Sequence, residues 1–468
     1  MAADREEHNK PALSGLKTKP FERNLALTRL GLGAGSKIVA HSIANLFRGE
    51  VSRDEADRSF YRRQAEELAA ELGRLKGSVM KAGQMLSLWG QYFLPPEAVE
   101  VLASLQDDTP PVEWGVVAPV LEAQLGRDRL AELDIDTRPL AAASLGQAHR
   151  ARRRRDGLEL CIKIQYPGVA DAIDSDIRTL SRLLVMTRLT PKGLDLQPIF
   201  TELREMLLRE VDYRAERAFT EDFGRRLASD RRYRVPEVLP DYCGSRVLTT
   251  SFETGLHVRH AGVQGLSQTR RNALGEAFVE LFLEEFFVWG QVQTDPHFGN
   301  YRIRPDEAEG DRIVLLDFGA TRRFEPGFVQ RYSRIVRGAL EGDRALVARG
   351  AREIGLMKPE VPAAVNEAFA AMCEVVVEPF REDGDPRVPS ALWSPAGGYR
   401  WGASDLPMRA AQMAARNALS VHFQMPPREI VFLHRRLAGV FIMLAALGAE
   451  VRTGEALRRV LARIPEQP

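Results

Sequence analysis

The chain has 468 residues, of which 44% are hydrophobic and 28% charged, and its formal net charge is +1. This length exceeds what one small core usually absorbs, so we expect a globular protein of two lobes or domains. The balanced charge gives no reason to expect nucleic acid as a partner. Three widely separated cysteines argue against a disulfide framework or a zinc site, and they favour a reducing compartment.

The N-terminal part of the chain predicts a tail followed by a helical extension. Residues 1–23 are polar and lack a signal-peptide pattern, so we predict a mobile tail. The extension covers residues 24–126 and includes long helices over 24–47 and 59–89. The first of these helices carries glycines at alternate positions, but no strand precedes it and the dinucleotide fingerprint is absent. We interpret it as a helix that packs within the protein. A second copy of the chain or a membrane surface is the alternative partner.

Strands predominate in the next part, a predicted N-lobe of residues 127–255. Asp156 and Gly157 lie between two alternating runs and form a strong hairpin signal. Lys163 stands in the middle of the second of these strands. The predicted elements are a strand, tight loop and strand over 139–149, a strand over 158–165, helices over 169–189 and 199–227, and a joint between lobes at Gly255.

The rest of the chain, residues 256–468, predicts a mostly helical C-lobe with one hairpin around residues 300–317. Within it, Asp295 and Asn300 are five residues apart, and Asp317 opens an Asp-Phe-Gly triplet. Kinase catalytic loops space their Asp and Asn in this way, and the triplet supplies a carboxylate that binds metal. Phosphoryl transfer needs one carboxylate near the attacking oxygen and hard oxygen ligands for Mg²⁺. We therefore predict Asp295 as the catalytic acid of the loop and Asn300 and Asp317 as metal ligands.

A lysine and a glutamate complete the predicted nucleotide site. Lys163 on its strand is suited to hold the α- and β-phosphates, and Glu216 on a helix is the candidate acid that orients it. An unpaired lysine in a half-buried cleft would be costly, so an ion pair has a physical rationale. Because these residues follow one another in the order that a kinase needs, we predict an α+β, bilobal, protein-kinase-like fold.

Two features differ from an ordinary protein kinase. The loop expected over the phosphates is alanine-rich, and alanine Cβ atoms limit both positive φ angles and the close approach of backbone amides to phosphate. In addition, residues 320–326 are predicted to pass directly into a helix, without an activation segment that ends in Ala-Pro-Glu. A protein substrate is therefore disfavoured.

The apolar run over residues 437–448 is too short to span a bilayer and predicts buried core.

Taken together, these motifs resemble the UbiB family, also called ADCK or AarF, of atypical kinase-like proteins linked to ubiquinone biosynthesis. The resemblance covers roughly residues 60–450. The matching positions are Lys81, Gly83 and Gln84 of a K-x-G-Q motif, Ala141, Ala142, Ala143, Ser144, Gly146 and Gln147 of the alanine-rich loop, Lys163, Glu210 and Asp212 of an E-x-D motif, Glu216, Asp295, Asn300 and Asp317.

The resemblance implies a kinase-like fold whose K-x-G-Q helix lies over the active site, where a peptide would otherwise dock. It implies ATP or ADP with Mg²⁺ as ligands, held in part by the alanine-rich loop. Lys81, as a catalytic group, and Gln84 would face the nucleotide, with Glu210 and Asp212 close by. One departure is Phe298, where the family commonly has proline, and the C-terminal membrane spans of some bacterial members are absent from this sequence.

These expectations lead to one main functional hypothesis and two alternatives. The first is a Mg²⁺-dependent ATPase or atypical kinase that supports ubiquinone or other isoprenoid-lipid metabolism, with a lipid or phenolic quinone precursor as a further partner. Its expected location is cytoplasmic, with peripheral contact to the inner membrane. A small-molecule phosphotransferase of the aminoglycoside or choline type would usually place His where Gln293 stands. A nucleotide-binding pseudokinase scaffold is favoured by the alanine-rich loop and disfavoured by the intact acidic residues.

Overall fold

The computed structural model describes residues 96–103, 111–143, 145–187, 196–418 and 426–465, together with scattered positions between 59 and 86. The predicted tail and the predicted helix over 24–47 lie outside these residues. The chain forms two compact units: Met1–Ala218 with Glu237–Phe252, and Phe219–Pro236 with Glu253–Pro468. The finer division predicted from the sequence, with boundaries after residues 23, 126 and 255, stays a prediction.

Helices and strands follow the predicted succession, and the longest strands lie in the first unit. In chain order the elements are α1 (Pro96–Ala103), α2 (Trp114–Ala131), β1 (Leu133–Ala142), β2 (Gly146–Arg153), β3 (Glu159–Gln165), α3 (Val169–Thr187), α4 (Gln197–Glu210), α5 (Tyr213–Leu227), β4 (Tyr233–Arg234), β5 (Val247–Ser251), α6 (Ala261–Gln264), α7 (Gln268–Leu283), β6 (Gln291–Gln293), β7 (Tyr301–Arg304), β8 (Arg312–Leu315), β9 (Thr321–Arg323), α8 (Pro326–Glu341), α9 (Arg344–Ile354), α10 (Ala363–Val376), β10 (Tyr399–Arg400), α11 (Leu406–Ala418), α12 (Arg428–Leu447), β11 (Glu450–Val451) and α13 (Gly454–Leu461).

The first unit contains an antiparallel four-stranded sheet in the order β1-β2-β3-β5. Successive side chains of a strand point to opposite faces, and β3 follows this rule, since Leu160, Ile162 and Ile164 are fully buried on one face. The turn between β2 and β3 contains Gly157, whose φ of 73° suits the hairpin predicted there. This placement leaves Lys163 on the other face of a central strand.

The single helix predicted over residues 199–227 is wrong, because the structure has two helices, α4 and α5, in its place. Helix α4 ends at Glu210, and α5 begins at Tyr213. The side chain of Asp212 accepts a hydrogen bond from the backbone N–H of Ala215 at 3.0 Å, as an N-cap does. The apolar stripe continues across the break, so periodicity alone could not show it.

In the second unit, short strands support the motifs of the predicted site. Strands β7 and β8 form an antiparallel hairpin, which confirms the hairpin predicted around residues 300–317. Strands β6 and β9 pair antiparallel, with Gln293 opposite Thr321. Residues 321–323 therefore form a strand before α8, and the prediction that this stretch passes directly into a helix is corrected.

Helix α12 contains the apolar run predicted as buried core. Val440, Phe441, Met443, Leu444 and Leu447 are at most 4% exposed, which confirms that prediction. By length and composition alone the helix could cross a membrane, yet 67% of its most apolar part is buried inside the protein. Burial on this scale is typical of the core helix of a globular protein.

Candidate functional site

The structure brings Lys163 and Glu216 together as an ion pair. The Lys163 Nζ donates to both carboxylate oxygens of Glu216, at 2.8 and 2.9 Å. Glu216 is only 4% exposed, whereas the lysine side chain is 30% exposed. The ring of Tyr213 lies 5.2 Å from the ammonium group. The buried carboxylate therefore holds the lysine, while the lysine itself still reaches solvent.

Local structure explains why these two side chains meet. Lys163 is paired on both sides within the sheet, opposite Ala148 of β2 and Leu248 of β5, so its backbone is fixed. Glu216 lies in the first turn of α5, where a negative charge is favourable beside the positive end of the helix dipole. Asp212 caps this helix, so its side chain acts on the start of the element that carries Glu216.

The alanine-rich loop forms the tight turn between β1 and β2. The backbone N–H of Ala143 donates to the carbonyl of Gly146 at 2.8 Å, and Ala141 and Ala142 belong to β1. A Cβ atom at Gly146 would lie 2.6 Å from the carbonyl oxygen of Ile164 and 2.7 Å from the Tyr213 hydroxyl, so only glycine fits. Ser144 lies outside the described residues.

The side chain of Gln147 is directed into the protein, where its amide is hydrogen-bonded. Its side chain is only 2% exposed, and its amide forms hydrogen bonds with both backbone groups of Val112, at 3.0 and 3.2 Å. The amide nitrogen of Gln147 also lies 2.9 Å from Nε2 of His149, which is fully buried. These bonds make the Gln147 side chain an internal clamp, and a contact between residue 147 and the nucleotide stays a prediction.

The histidine of this clamp has a definite protonation state. His149 Nδ1 lies 2.9 Å from the carbonyl oxygen of Asp136, which can only accept, so Nδ1 carries the proton and Nε2 accepts from Gln147. Burial lowers the pKa of His149 from its ordinary value of 6.5. The clamp therefore needs a neutral imidazole.

The K-x-G-Q segment contacts the two helices that follow the sheet. Lys81 Nζ lies 3.4 Å from a carboxylate oxygen of Glu210, and the lysine is only 14% exposed. One turn earlier, the hydroxyl of Ser78 donates to the buried carboxylate of Asp176. The structure thus brings Lys81 and Glu210 together, as the family resemblance implied, while Gln84 lies outside the described residues.

Asp295 and Asn300 are joined within their loop. Asn300 Nδ2 donates to the carboxylate of Asp295 at 3.0 Å and to its backbone carbonyl at 3.2 Å. Both bonds are made by the amide nitrogen of Asn300. Its oxygen Oδ1 takes no part in them, and an oxygen is the ligand that a hard cation prefers. Both residues are half-buried.

Backbone hydrogen bonds bring Asp317 beside this loop. The N–H of Leu316 donates to the carbonyl of Asn300 at 2.9 Å, so the residue before Asp317 is tied to the second predicted metal ligand. Asp317 Oδ1 accepts from the N–H of Gly319 at 2.9 Å. Phe318 is 1% exposed and packs against Phe223, with ring centroids 4.7 Å apart. The buried phenylalanine thus anchors the turn that carries Asp317.

The chemistry of this donor set suits Mg²⁺. Mg²⁺ is usually held by one or two carboxylates together with phosphate oxygens and water, rather than by a complete protein cage. The predicted ligands Asn300 and Asp317 supply one amide oxygen and one carboxylate, and the carboxylate of Asp295 is bonded to Asn300. Within the described part of the chain no group of three or more His, Cys, Asp or Glu side chains is placed to hold a metal. The residues therefore fit a cation that is bound together with nucleotide phosphates.

Sequence reasoning missed Arg435, which contacts the predicted catalytic acid. Its Nη2 donates to Asp295 Oδ1 at 2.7 Å, across a separation of 140 residues. One turn further along α12, a Cβ atom at Gly439 would lie 1.8 Å from Pro296, so glycine allows the helix to approach the loop this closely. In the sequence Arg435 stands only as one of two arginines before the apolar run, and this pattern does not indicate a contact with the loop.

A strand lysine paired with a buried glutamate, an Asp-to-Asn loop and an Asp-Phe-Gly turn are the features of protein-kinase-like proteins. The family model described as the ABC1 atypical kinase-like domain matches residues 104–351. The chain therefore belongs to this family, which confirms the UbiB, ADCK or AarF membership and the kinase-like fold predicted from the motifs.

Individual relatives support this assignment over most of the chain. It is 32% identical over 412 residues to the Schizosaccharomyces pombe protein "Atypical kinase COQ8, mitochondrial", with 88% of this chain and 65% of the relative covered. It is 31% identical to rat "Atypical kinase COQ8B, mitochondrial", with 90% and 76% covered. Among solved structures, that of Rv3197 from Mycobacterium tuberculosis in complex with erythromycin has a TM-score of 0.57 at 25% identity, covering 87% of this chain and 98% of that one.

Proposed function

We propose that the protein is an atypical kinase or ATPase that binds ATP or ADP together with Mg²⁺. The observation that carries the proposal is the pair of Lys163 and Glu216, in which a carboxylate that is only 4% exposed holds a lysine that still reaches solvent. A lysine with a purely structural role has no need of a buried acid, because the ammonium group can extend into water. A lysine held in this way is suited to bind phosphate oxygens.

Each remaining residue has a role in this proposal. Asn300 and Asp317 would hold Mg²⁺, which neutralises charge on the transferred phosphoryl group when it is bound. Asp295 accepts the proton of the attacking hydroxyl or water, and Arg435 fixes the orientation of its carboxylate through the hydrogen bond of 2.7 Å. Lys81 remains a proposed catalytic group, and in the structure Glu210 holds it.

The acceptor of the phosphoryl group is proposed to be water or a small molecule. Strand β9 ends at Arg323 and α8 begins at Pro326, so the chain after the Asp-Phe-Gly turn is short for docking a peptide. The names of the relatives support a role in ubiquinone or other isoprenoid-lipid metabolism. The word mitochondrial in their names supports an organellar location, while a cytoplasmic location and contact with the inner membrane stay predictions.

The decisive experiment compares the wild type with Asp317→Asn. We expect slow Mg²⁺-dependent release of phosphate from ATP by the wild type and loss of that release in the variant, because one metal ligand loses its charge. Unchanged release in the variant would contradict the assignment of Asp317. Anionic liposomes and a phenolic quinone-precursor analogue, added separately, test the lipid connection, and stimulation by either supports it.

A pseudokinase scaffold is the second candidate, and the alanine-rich turn favours it. Ala141 and Ala142 lie in β1 and pair with β2, and residues 141–143 lack the glycines that let backbone amides approach phosphate. Thermal shifts with ATP, ADP and Mg²⁺, measured beside phosphate release, separate the two functions. Stabilisation by nucleotide without any phosphate release would support the scaffold.

A further inference from the structure

A continuous chain of buried polar groups lies beneath the Asp295 loop, in addition to the residues assigned so far. Its members are Glu285, Arg436, Tyr301 and Gln293, each at most 5% exposed. Buried polar groups of this kind are costly unless every member is bonded, and a well-packed apolar core would usually be at least as stable. The presence of these four polar groups in the core therefore points to a role other than stability alone.

The chain begins at an ion pair closed to solvent. Arg436 of α12 donates to the two carboxylate oxygens of Glu285, at 3.2 and 3.5 Å. Burial raises the pKa of Glu285 to about 7, against the opposing effect of the arginine. The same guanidinium group uses its Nη1 to donate to the hydroxyl of Tyr301.

The hydrogen bonds from this arginine and from the loop converge on the amide oxygen of Gln293. The Tyr301 hydroxyl accepts from Arg436 and donates to Gln293 Oε1 at 3.3 Å. The same amide oxygen accepts the backbone N–H of Asp295 at 3.1 Å. This assigns the oxygen of the Gln293 amide, because the opposite orientation would place an NH₂ group against two donors.

Tyr301 and Gln293 stand at the two ends of the loop that carries the metal ligand and the acid. Gln293 is the last residue of β6, two positions before Asp295, and Tyr301 is the first residue of β7, directly after Asn300. Their mutual hydrogen bond closes the loop at its base. Among the described atoms Gln293 Nε2 is buried with no hydrogen-bond partner, which is unusual for an amide that serves only packing.

We propose that Arg436, Tyr301 and Gln293 form a positioning frame that sets the separation and orientation of Asp295 and Asn300 for binding of the metal and acceptance of the proton. The inference rests on the proposed function of that loop. Helix α12 then acts through two adjacent residues: Arg435 contacts the carboxylate of Asp295 directly, and Arg436 holds the base of its loop. The frame contains no catalytic residue, since none of its members contacts the reacting atoms.

Tyr301→Phe tests the frame, because it removes only the hydroxyl that joins Arg436 to Gln293. We expect the Mg²⁺ concentration for half-maximal nucleotide-induced thermal stabilisation to rise about tenfold, the size of effect seen when groups that orient metal ligands are removed. The phosphate-release rate at saturating Mg²⁺ should fall by a similar factor. Gln293→Met, which removes the acceptor for the Asp295 N–H, should change both quantities in the same direction.

Tyr233→Phe is the matched control. Tyr233 is also buried, lies in the same unit and donates one hydrogen bond, to the carbonyl of Ala277 at 2.7 Å, so its loss should lower the melting temperature by a similar amount. We expect its Mg²⁺ dependence to equal that of the wild type. If Tyr301→Phe and Gln293→Met change Mg²⁺ dependence no more than this control, the frame is overturned. Failure of the wild type itself to bind nucleotide with Mg²⁺ would instead overturn the proposed function.

Discussion

Each of the two units contains an ion pair with a buried carboxylate, and the two pairs differ in the solvent exposure of the cation. In the first unit Glu216 is 4% exposed but its partner Lys163 is 30% exposed. In the second unit Glu285 and Arg436 are 1% and 2% exposed. A cation that still reaches solvent can bind a ligand without leaving its acid, whereas one enclosed on all sides can only hold protein groups. The half-open pair is therefore suited to binding, and the closed pair is suited to positioning.

The largest effect on folding is expected from breaking the closed pair on one side. Arg436→Ala leaves the carboxylate of Glu285 buried without a cation and should cost about 3–5 kcal/mol in the free energy of unfolding. Chemical denaturation measures this loss. The double variant Arg436→Met with Glu285→Leu removes both charges and should recover most of it. If Arg436→Ala were as stable as the wild type, the pair would not be enclosed as the structure shows.

Breaking the half-open pair of Lys163 and Glu216 should lower the activity more than the stability. Lys163→Met should lower nucleotide-dependent phosphate release by about a hundredfold or more, because a preorganised positive charge at the phosphates is lost. Steady-state kinetics measure the rate, and melting temperature checks the fold. The expected destabilisation is smaller than that of Arg436→Ala, since the lysine is partly exposed. A variant with normal turnover would show that Lys163 does not contact phosphate.

The smallest effect is a pH dependence of stability in the first unit, opposite in direction to the one expected from the raised pKa of Glu285 in the closed pair. Burial lowers the pKa of His149 below 6.5, so at lower pH the unfolded chain binds a proton that the folded chain does not. The contribution of His149 to stability is therefore complete above pH 6.5 and is lost as the pH falls toward its folded pKa. His149→Phe should be less stable overall and should lack this dependence between about pH 5 and 6.5. Urea denaturation across this range measures both, and equal pH slopes in the two proteins would contradict the neutral clamp.

Much of the candidate site could be predicted because its signals are local in sequence. The alternation of β3 placed Lys163 opposite a buried face, and that face is fully buried in the structure. The spacing of Asp295 and Asn300 set the loop, in which the two residues bond to each other. The hairpin before Asp317 followed from turn and strand patterns alone.

Other predictions failed where local patterns were compatible with two structures. The helical stripe over residues 199–227 continues through Asp212, so only the cap at that residue separates α4 from α5. Nothing in the local pattern indicated that the Gln147 side chain bonds to the backbone of Val112, 35 positions earlier in the chain. No periodicity carries information about such a partner.

Spacing over a few residues was enough to indicate the family, the order of the motifs and the candidate residues for the chemistry. The contacts of Arg435 with the acid and of Arg436 with the base of its loop, across 140 and 135 residues, are visible only in the folded chain. The tertiary structure also decided which ion pair is closed and which still reaches solvent. The physical reason is that burial and long-range hydrogen bonds are properties of packing between distant segments, and these leave no period in the sequence that forms them.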